Sequence, residues 1–410
     1  MQGTMSHDRK ERKLEKKTSV FENGLIWFGA SVSIAELLTG TSFAGMGAAR
    51  GMAAIIIGHV IGCTLMFLAG IIGARTGSSA MGTVRISFGR YGASFFALMN
   101  VLQLVGWTAV MTGQGADAAA SAGGPGVFES RSLWVIVIGV LILAAVLIGV
   151  THIGKLNVVV MGLLFVLTVI LSVVVFGGGA SFSKGSGALS FGAAVELAAA
   201  MPVSWLPLIS DYTRTAERAL PATLVSVITY GLGSCWMFII GMAAAELVPS
   251  GSIAEIMLKA GLGAAGLLIV VLSTVTTTFL DAFSGGVSAA GIYDKINEKA
   301  AAAVVTAVGT LISLFVPDSF YENFLYLIGS VFVPMISVLA ADYFINRNDS
   351  SSRPVNWANF VIWAAGFIIY RIFMNIDTPV GSTLPVVVIV VIMCVIVNAA
   401  AKGINGKREK

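Results

Sequence analysis

The sequence predicts an all-α polytopic membrane protein with twelve transmembrane helices, and three observations carry that expectation. Of its 410 residues, 57% are hydrophobic and 11% charged, with a mean hydropathy of +0.90, which is more apolar surface than one soluble core can bury. The apolar residues fall into runs of about 20, the length that crosses a bilayer. The positive charges gather on one side of that layout, as cytoplasmic Lys and Arg do.

The spans follow in order. The first, roughly 24–48, comes after the basic run Arg9 to Lys17 and carries one carboxyl, Glu36. The second and third, roughly 52–74 and 92–116, are separated by a loop holding Arg75, Arg85 and Arg90. The fourth and fifth, roughly 132–151 and 156–177, are almost wholly aliphatic, and the sixth, roughly 191–210, contains Pro202 and Pro207. Roughly 220–247, 262–292, 300–316 and 321–345 give the seventh to tenth, and 356–374 and 383–401 close the series. Residues 1–20 form a cytoplasmic basic tail, 21–402 a single transmembrane domain and 403–410 a second cytoplasmic tail. The amino-terminal run lacks the short apolar region and small-residue cleavage site of a signal peptide.

With both termini inside, five of the 25 Lys and Arg residues lie on the far side: Arg50, Arg131, Lys184, Lys259 and Arg371. The net charge of +4 therefore reports topology and gives no nucleic-acid footprint. Several function classes drop out as well. Cys63, Cys235 and Cys394 sit in apolar segments without metal-ligand spacing, and three histidines build no Cys/His cluster. No phosphate-binding Gly-x-x-x-x-Gly-Lys-Ser/Thr loop is present, which disfavours ATP-driven transport, and no nucleophile–base pair marks an enzyme.

Glu36 is the most informative residue. An ionisable group inside hydrocarbon is costly unless it meets a polar cavity or a partner, and a structural hydrogen bond between helices is the alternative role. Around it stand Ser31, Ser33, Thr39, Gly40 and Thr41, the residues a locally unwound membrane helix needs. In the sixth span, Pro202 and Pro207 remove two backbone donors and clash with preceding carbonyls. Spans one and six hold matching places in two five-helix halves, and paired interrupted helices of that kind point to the substrate site of a transporter with a 5+5 inverted repeat. A proline kink and an unrelated packing face remain the alternative.

Further along, Gln103 and Trp107 lie four apart on one face of the third span. They offer an amide and an indole plane on which a flat heterocycle stacks. The run Ser273-Thr-Val-Thr-Thr-Thr278 concentrates hydroxyls in span eight, followed by a second intramembrane carboxyl, Asp281. Hydroxyls of this kind also bond back onto their own helix.

Taken together, Asn23-Gly24, Leu68 to Gly77, Ser87-Phe-Gly-Arg90, Gln103 to Trp107, Asp211-Tyr-Thr-Arg214 and Ala341-Asp342-Tyr-Phe resemble the nucleobase–cation symporter-1 family. The likeness is greatest to its branch that takes up cytosine and hydroxymethylpyrimidine, a thiamine precursor. The resemblance implies a LeuT-like fold with broken helices 1 and 6, alternating access and uptake of a small planar base with sodium, or alternatively protons, as the coupling ion. It also implies no organic cofactor and residence in the plasma (inner) membrane. Carried over by position, Val32 and Ala35 supply carbonyls and Thr277 and Thr278 hydroxyls to a cation, while Trp107 stacks on the substrate. Glu36, Gln103, Ser204, Trp205 and Asp281 complete the expected substrate contacts. A protonated carboxyl, accepting from an exocyclic amine and donating to a ring nitrogen, matches an aminopyrimidine edge. The expectation is therefore a symporter for an aminopyrimidine, hydroxymethylpyrimidine first, with a cytosine or other nucleobase permease as the alternative and a channel as the competing class.

Overall fold

The computed structural model of the protein describes residues 17–122, 126–149, 154–179, 182, 189–247, 263–315 and 321–408. Most of the basic amino-terminal tail, 1–16, and residues 409–410 lie outside them. The described chain is helical, with one isolated bridge between Thr18 and Ala216.

Local chemistry decides where the first helices begin and end. Ser19 and Glu22 form a reciprocal capping box that opens α1 (Val20–Ser31). Ser31 then donates its hydroxyl back to the Phe28 carbonyl at 2.8 Å, and Val32 leaves helical geometry at φ −94, ψ 70. Ser33, extended at φ −118, ψ 158, accepts from the Glu36 amide and starts α2 (Ile34–Thr41). The two helices meet at a 47° bend.

α3 (Ala48–Thr76) ends at Gly77, whose φ of 64 suits glycine. α4 (Ala80–Ala122) is interrupted at Gly89, φ 76, where the next two amides leave the helix to donate to the carbonyls of Arg353 and Pro354 at 2.9 Å. The segment read from the sequence as a basic loop before span three is therefore helical up to this glycine. Positive charge set its loop reading, but the turns of a helix exposed at one end accommodate Arg85 equally well.

α5 (Arg131–Ile148) and α6 (Gly154–Gly177) follow, then α7 (Phe191–Ser204) and the short α8 (Ile209–Thr213). Between the last two, Trp205 to Leu208 form tight turns: the amides of Leu208 and Ile209 both donate to the Trp205 carbonyl at 3.0 Å. The chain continues through α9 (Ala219–Leu247), α10 (Gly263–Ile292), α11 (Glu298–Ser313) and α12 (Tyr321–Ala340). A six-residue π-helical segment, Ala341–Asn346, extends α12, and α13 (Trp357–Phe373) and α14 (Thr383–Arg408) close the fold.

Among the described residues nine helices are long and apolar enough to cross a membrane, or ten when α1 and α2 count as one span. The expected ninth and eleventh spans correspond to α11 and α13, which are shorter at 16 and 17 residues. The α7–α8 segment is 94% buried whereas α14 is 17% buried, so the interrupted segment lies at the centre and α14 at the rim. Exposed apolar side chains such as Val159, Val166 and Val173 on α6 face outward, as lipid-facing residues do.

Glycine permits the closest helix contacts at the centre. A Cβ at Gly58 on α3 would fall on the Val195 carbonyl and the Ala198 side chain of α7. One at Gly241 on α9 would fall on the Leu37 carbonyl of α2. Both interrupted segments are thus clamped by backbone contact, the packing that small residues allow in membranes.

Candidate substrate and cation site

Glu36 and Asp281, the carboxyls expected at the site, have opposite surroundings. Glu36 is buried, with Tyr230 donating to Oε1 at 2.6 Å and Ser234 to Oε2 at 2.6 Å, both from α9. Ser234 also lies 2.6 Å from Nε2 of His59 on α3, whose Nδ1 is 2.8 Å from the Ile55 carbonyl. Asp281, only 3% exposed on α10, has no hydrogen-bond or ion-pair partner among the described residues.

The packing of α10 on α4 fixes what Asp281 can face. Asn100 donates to Ser288 Oγ at 2.7 Å, a Cβ on Gly291 would touch Ala97, and Gly115 abuts Thr274. These contacts define an antiparallel register that sets Asp281 level with Trp107. Trp107, 5% exposed, has its ring 5.7 Å from Phe324 at 66°. One turn earlier, Gln103 donates to Asn100 Oδ1 at 2.7 Å while its own carbonyl oxygen is buried without a partner. Asn100 in turn donates to the Pro207 carbonyl at 3.0 Å, so the amide pair on α4 reaches the α7–α8 interruption and satisfies backbone freed there.

Aromatic side chains join the two interruptions. Trp27 on α1 stands edge-on to Trp205 at 5.3 Å, Tyr212 at 5.8 Å and Tyr230 at 6.0 Å. Tyr212 donates to the Leu280 carbonyl at 2.7 Å, which brings this cluster beside Asp281. Ser204 donates to the Met201 carbonyl at 2.7 Å, so its proton is used within its own helix.

The hydroxyls of span eight divide similarly. Thr276 bonds back to the Leu272 carbonyl, whereas Thr277 donates to the Gly29 carbonyl at 3.3 Å, across to α1 just before its end. Thr278 Oγ1 is buried and unpartnered. The carbonyl beside Thr277 is thus that of Gly29, while that of Ala35 accepts the Thr39 hydroxyl at 2.7 Å, and Val32 lies at the break between them. Among the described residues no cluster of three or more His, Cys, Asp or Glu side chains could hold a metal. A small group of oxygens at a helix break is instead a setting for a hard monovalent cation.

A separate cavity of about 270 Å³ lies where α7 begins, lined by Ser190, Glu196, Tyr326 and Asp377 among others. The Glu196 carboxylate there is saturated by Tyr370, Thr383 and the amides of Ser382 and Thr383, so it caps a helix and is not open to a ligand. Sequence reasoning did not single out Tyr230, Ser234, His59 and Asn100, which surround the interruptions. The available signal was polar residues on otherwise apolar membrane helices.

Many apolar helices packed around buried polar groups define a multi-pass helical membrane protein. The chain belongs to the family of permeases for cytosine/purines, uracil, thiamine and allantoin, which it matches over residues 12–397. It is 27% identical over 356 residues to the cytosine permease of Escherichia coli strain K12, covering 84% of this chain and 82% of that protein. Its fold is similar to that of Mhp1, a nucleobase-cation-symport-1 family transporter solved closed with bromovinylhydantoin bound, with TM-score 0.80, 18% identity and coverage of 96% and 94%. A Na+-coupled sialic acid symporter in a substrate-bound outward-open state matches with TM-score 0.70 at 15% identity, covering 95% and 93%. The fold is therefore the one LeuT-like transporters share.

Proposed function

We propose that this protein is a secondary active symporter that imports a small aminopyrimidine by alternating access. Hydroxymethylpyrimidine is the first choice of substrate and cytosine the second. The observation that carries this reading is Asp281, a membrane-buried carboxyl with no protein partner, level with Trp107 and beside the aromatic cluster of the two interruptions. A carboxyl so placed needs a ligand or a proton. An aminopyrimidine supplies a donor and an acceptor to a neutral carboxyl, Trp107 offers a face for its ring, and the free Gln103 carbonyl accepts a further N–H. Trp205 bounds the same space on the side of α7, and Ser204 shapes it without donating.

On this reading the bend between α1 and α2 and the turns between α7 and α8 are broken membrane helices 1 and 6 of a 5+5 repeat. Twelve spans place both termini in the cytoplasm at the plasma membrane. Sodium is the coupling ion, held by Thr277 and Thr278 with carbonyls of Val32 and Ala35, and the unpartnered Thr278 hydroxyl supports that assignment. The fold shared with a Na+-coupled symporter agrees with it.

Uptake of labelled hydroxymethylpyrimidine, cytosine and uracil into proteoliposomes, under separate sodium and proton gradients, tests the whole reading. Saturable, sodium-stimulated uptake of an aminopyrimidine is expected. Unsaturable flux would point to a channel, and uracil taken up as well as cytosine would overturn the recognition by Asp281.

A further inference from the structure

The backbone of α4 has two sets of partners where it breaks at Gly89. In an unbroken helix the amides of Arg90, Tyr91 and Gly92 donate to the carbonyls of Ile86, Ser87 and Phe88. Here the Arg90 and Tyr91 amides donate instead to the carbonyls of Arg353 and Pro354, each at 2.9 Å. The carbonyls they leave are taken up from the same side. Ile86 accepts from the Ser350 amide at 2.7 Å, Ser87 from the Asn359 side chain at 2.7 Å, and Phe88 from the Asn356 amide at 3.1 Å. These partners all lie on the strap 347–356 between α12 and α13, or in the first turn of α13.

Exchanging one set for the other leaves no group of α4 unpaired, because each amide finds the carbonyl four residues back. The strap can turn to water in exchange, since Ser351 to Pro354 are exposed. Opposing features hold the two arrangements near balance. Asp342 on the π-helical segment anchors the docked strap: it accepts from Asn348 at 3.4 Å and from Asn359 at 2.7 Å, and Asn359 reaches on to Ser87. Against docking, Arg347 enters the strap at φ 53, a left-handed conformation that costs an arginine energy. Docking also needs glycine at the break. A Cβ on Gly89 would stand 2.7 Å from the Arg353 carbonyl oxygen, and φ 76 disfavours any other residue.

The break lies between two ties of α4 to the interrupted α7–α8 segment. Before it, the Ala80 amide donates to Asp211 Oδ1 on α8 at 2.8 Å; after it, Asn100 donates to the Pro207 carbonyl at 3.0 Å. A straight α4 changes the spacing of these ties unless α8 moves with it. We propose that the 347–356 strap and the Gly89 break form a two-state switch. Docked, the strap bends α4 and holds Ala80 against Asp211, which closes this end of the helix bundle. Released, it lets α4 become continuous and frees α8. On the topology above this is the cytoplasmic end, but the switch itself requires neither substrate nor coupling ion.

The two arrangements differ in which amides are protected. Those of Ser350 and Asn356 are bonded only when the strap is docked, whereas those of Arg90 and Tyr91 are bonded in both states. Gly89→Ala disfavours the docked backbone and favours a continuous helix, so hydrogen exchange in the purified full-length protein should quicken at 350 and 356 by roughly tenfold or more. Exchange at 90 and 91 should stay slow. Faster exchange at all four amides would mean that the break merely unfolds, and unchanged exchange at 350 and 356 would mean that the strap is fixed; either result overturns the switch. A thiol at Ser284, whose Oγ lies 3.4 Å from the Tyr212 hydroxyl of α8, reports the closure. In Gly89→Ala its modification should quicken several-fold over Ser284→Cys alone, and an equal rate would overturn the coupling to α8. If Gly89→Ala gives no folded protein, Asn359→Ala decides by the same measurements, because it removes the tie to Ser87 and Asp342 without altering α4.

Discussion

Replacing Asp281 by alanine should separate binding from folding. The carboxyl makes no hydrogen bond within the protein, so its removal orphans nothing and relieves a buried polar group of its desolvation. The midpoint of thermal unfolding in detergent should stay level or rise. Binding should suffer, because the two hydrogen bonds of a neutral carboxyl contribute about 0.5–1.5 kcal/mol each, about 1–3 kcal/mol together, which is roughly 5- to 150-fold in Kd. Titrating purified Asp281→Ala with labelled cytosine and hydroxymethylpyrimidine measures the loss. Asp281→Asn refines the result: its amide presents an acceptor and a donor as a neutral carboxyl does, so it should bind aminopyrimidines closer to the parent than the alanine variant does. A lowered unfolding midpoint with Kd within twofold of the parent would show that the carboxyl is structural and sink the recognition argument.

Other expectations follow from neighbouring contacts. Thr278→Ala should raise the sodium concentration for half-maximal uptake several-fold without changing protein yield, since its hydroxyl has no protein partner to lose; an unchanged sodium curve in it and in Thr277→Ala would return both hydroxyls to helix packing. Ser234→Ala leaves Glu36 Oε2 and His59 Nε2 unpartnered, at about 1–3 kcal/mol for each buried group, so its unfolding midpoint should fall clearly below that of Asp281→Ala. Gly241→Ala sets a methyl against the Leu37 carbonyl, and overpacking of about 1–3 kcal/mol should show as reduced yield of folded protein. Reporter fusions at both ends should read cytoplasmic; a carboxy-terminal reporter active only outside the cytoplasm would rule out an even span count.

Much of the architecture was legible because the bilayer imposes length and polarity on each segment. The bend in the first span was signalled by the small and hydroxyl residues around Glu36. The capping of the Glu36 amide by Ser33, with the Glu36 side chain turned to α9, was not singled out. The helical run ahead of Gly89 was not legible, because its arginines carry the same topological signal in a loop or a helix. Nor could spacing along one chain bring Tyr230, Ser234 and His59 to Glu36. Those contacts join three helices and depend on the close approach that Gly40, Gly58 and Gly241 allow.

Glu36 and Asp281 show why burial alone does not assign a role. Both are nearly inaccessible, yet Glu36 has every oxygen engaged and Asp281 has none. A saturated carboxyl cannot bind a substrate edge without giving up partners that would then be buried unsatisfied, a loss that offsets most of the gain. An unpartnered one gains the full contact when a ligand arrives, because its desolvation has already been met by the fold. On the symporter reading, the carboxyl open to a substrate is therefore Asp281 on α10, while Glu36 would have to give up its partners on α9 to make the same contact. The direct discriminator is pairwise: Glu36→Gln should preserve aminopyrimidine affinity within about threefold, below the tenfold that 1.4 kcal/mol represents, while Asp281→Ala loses it. Equal losses in both variants would mean that the two carboxyls act on the substrate as one unit, and the division of roles argued from their hydrogen bonds would fail.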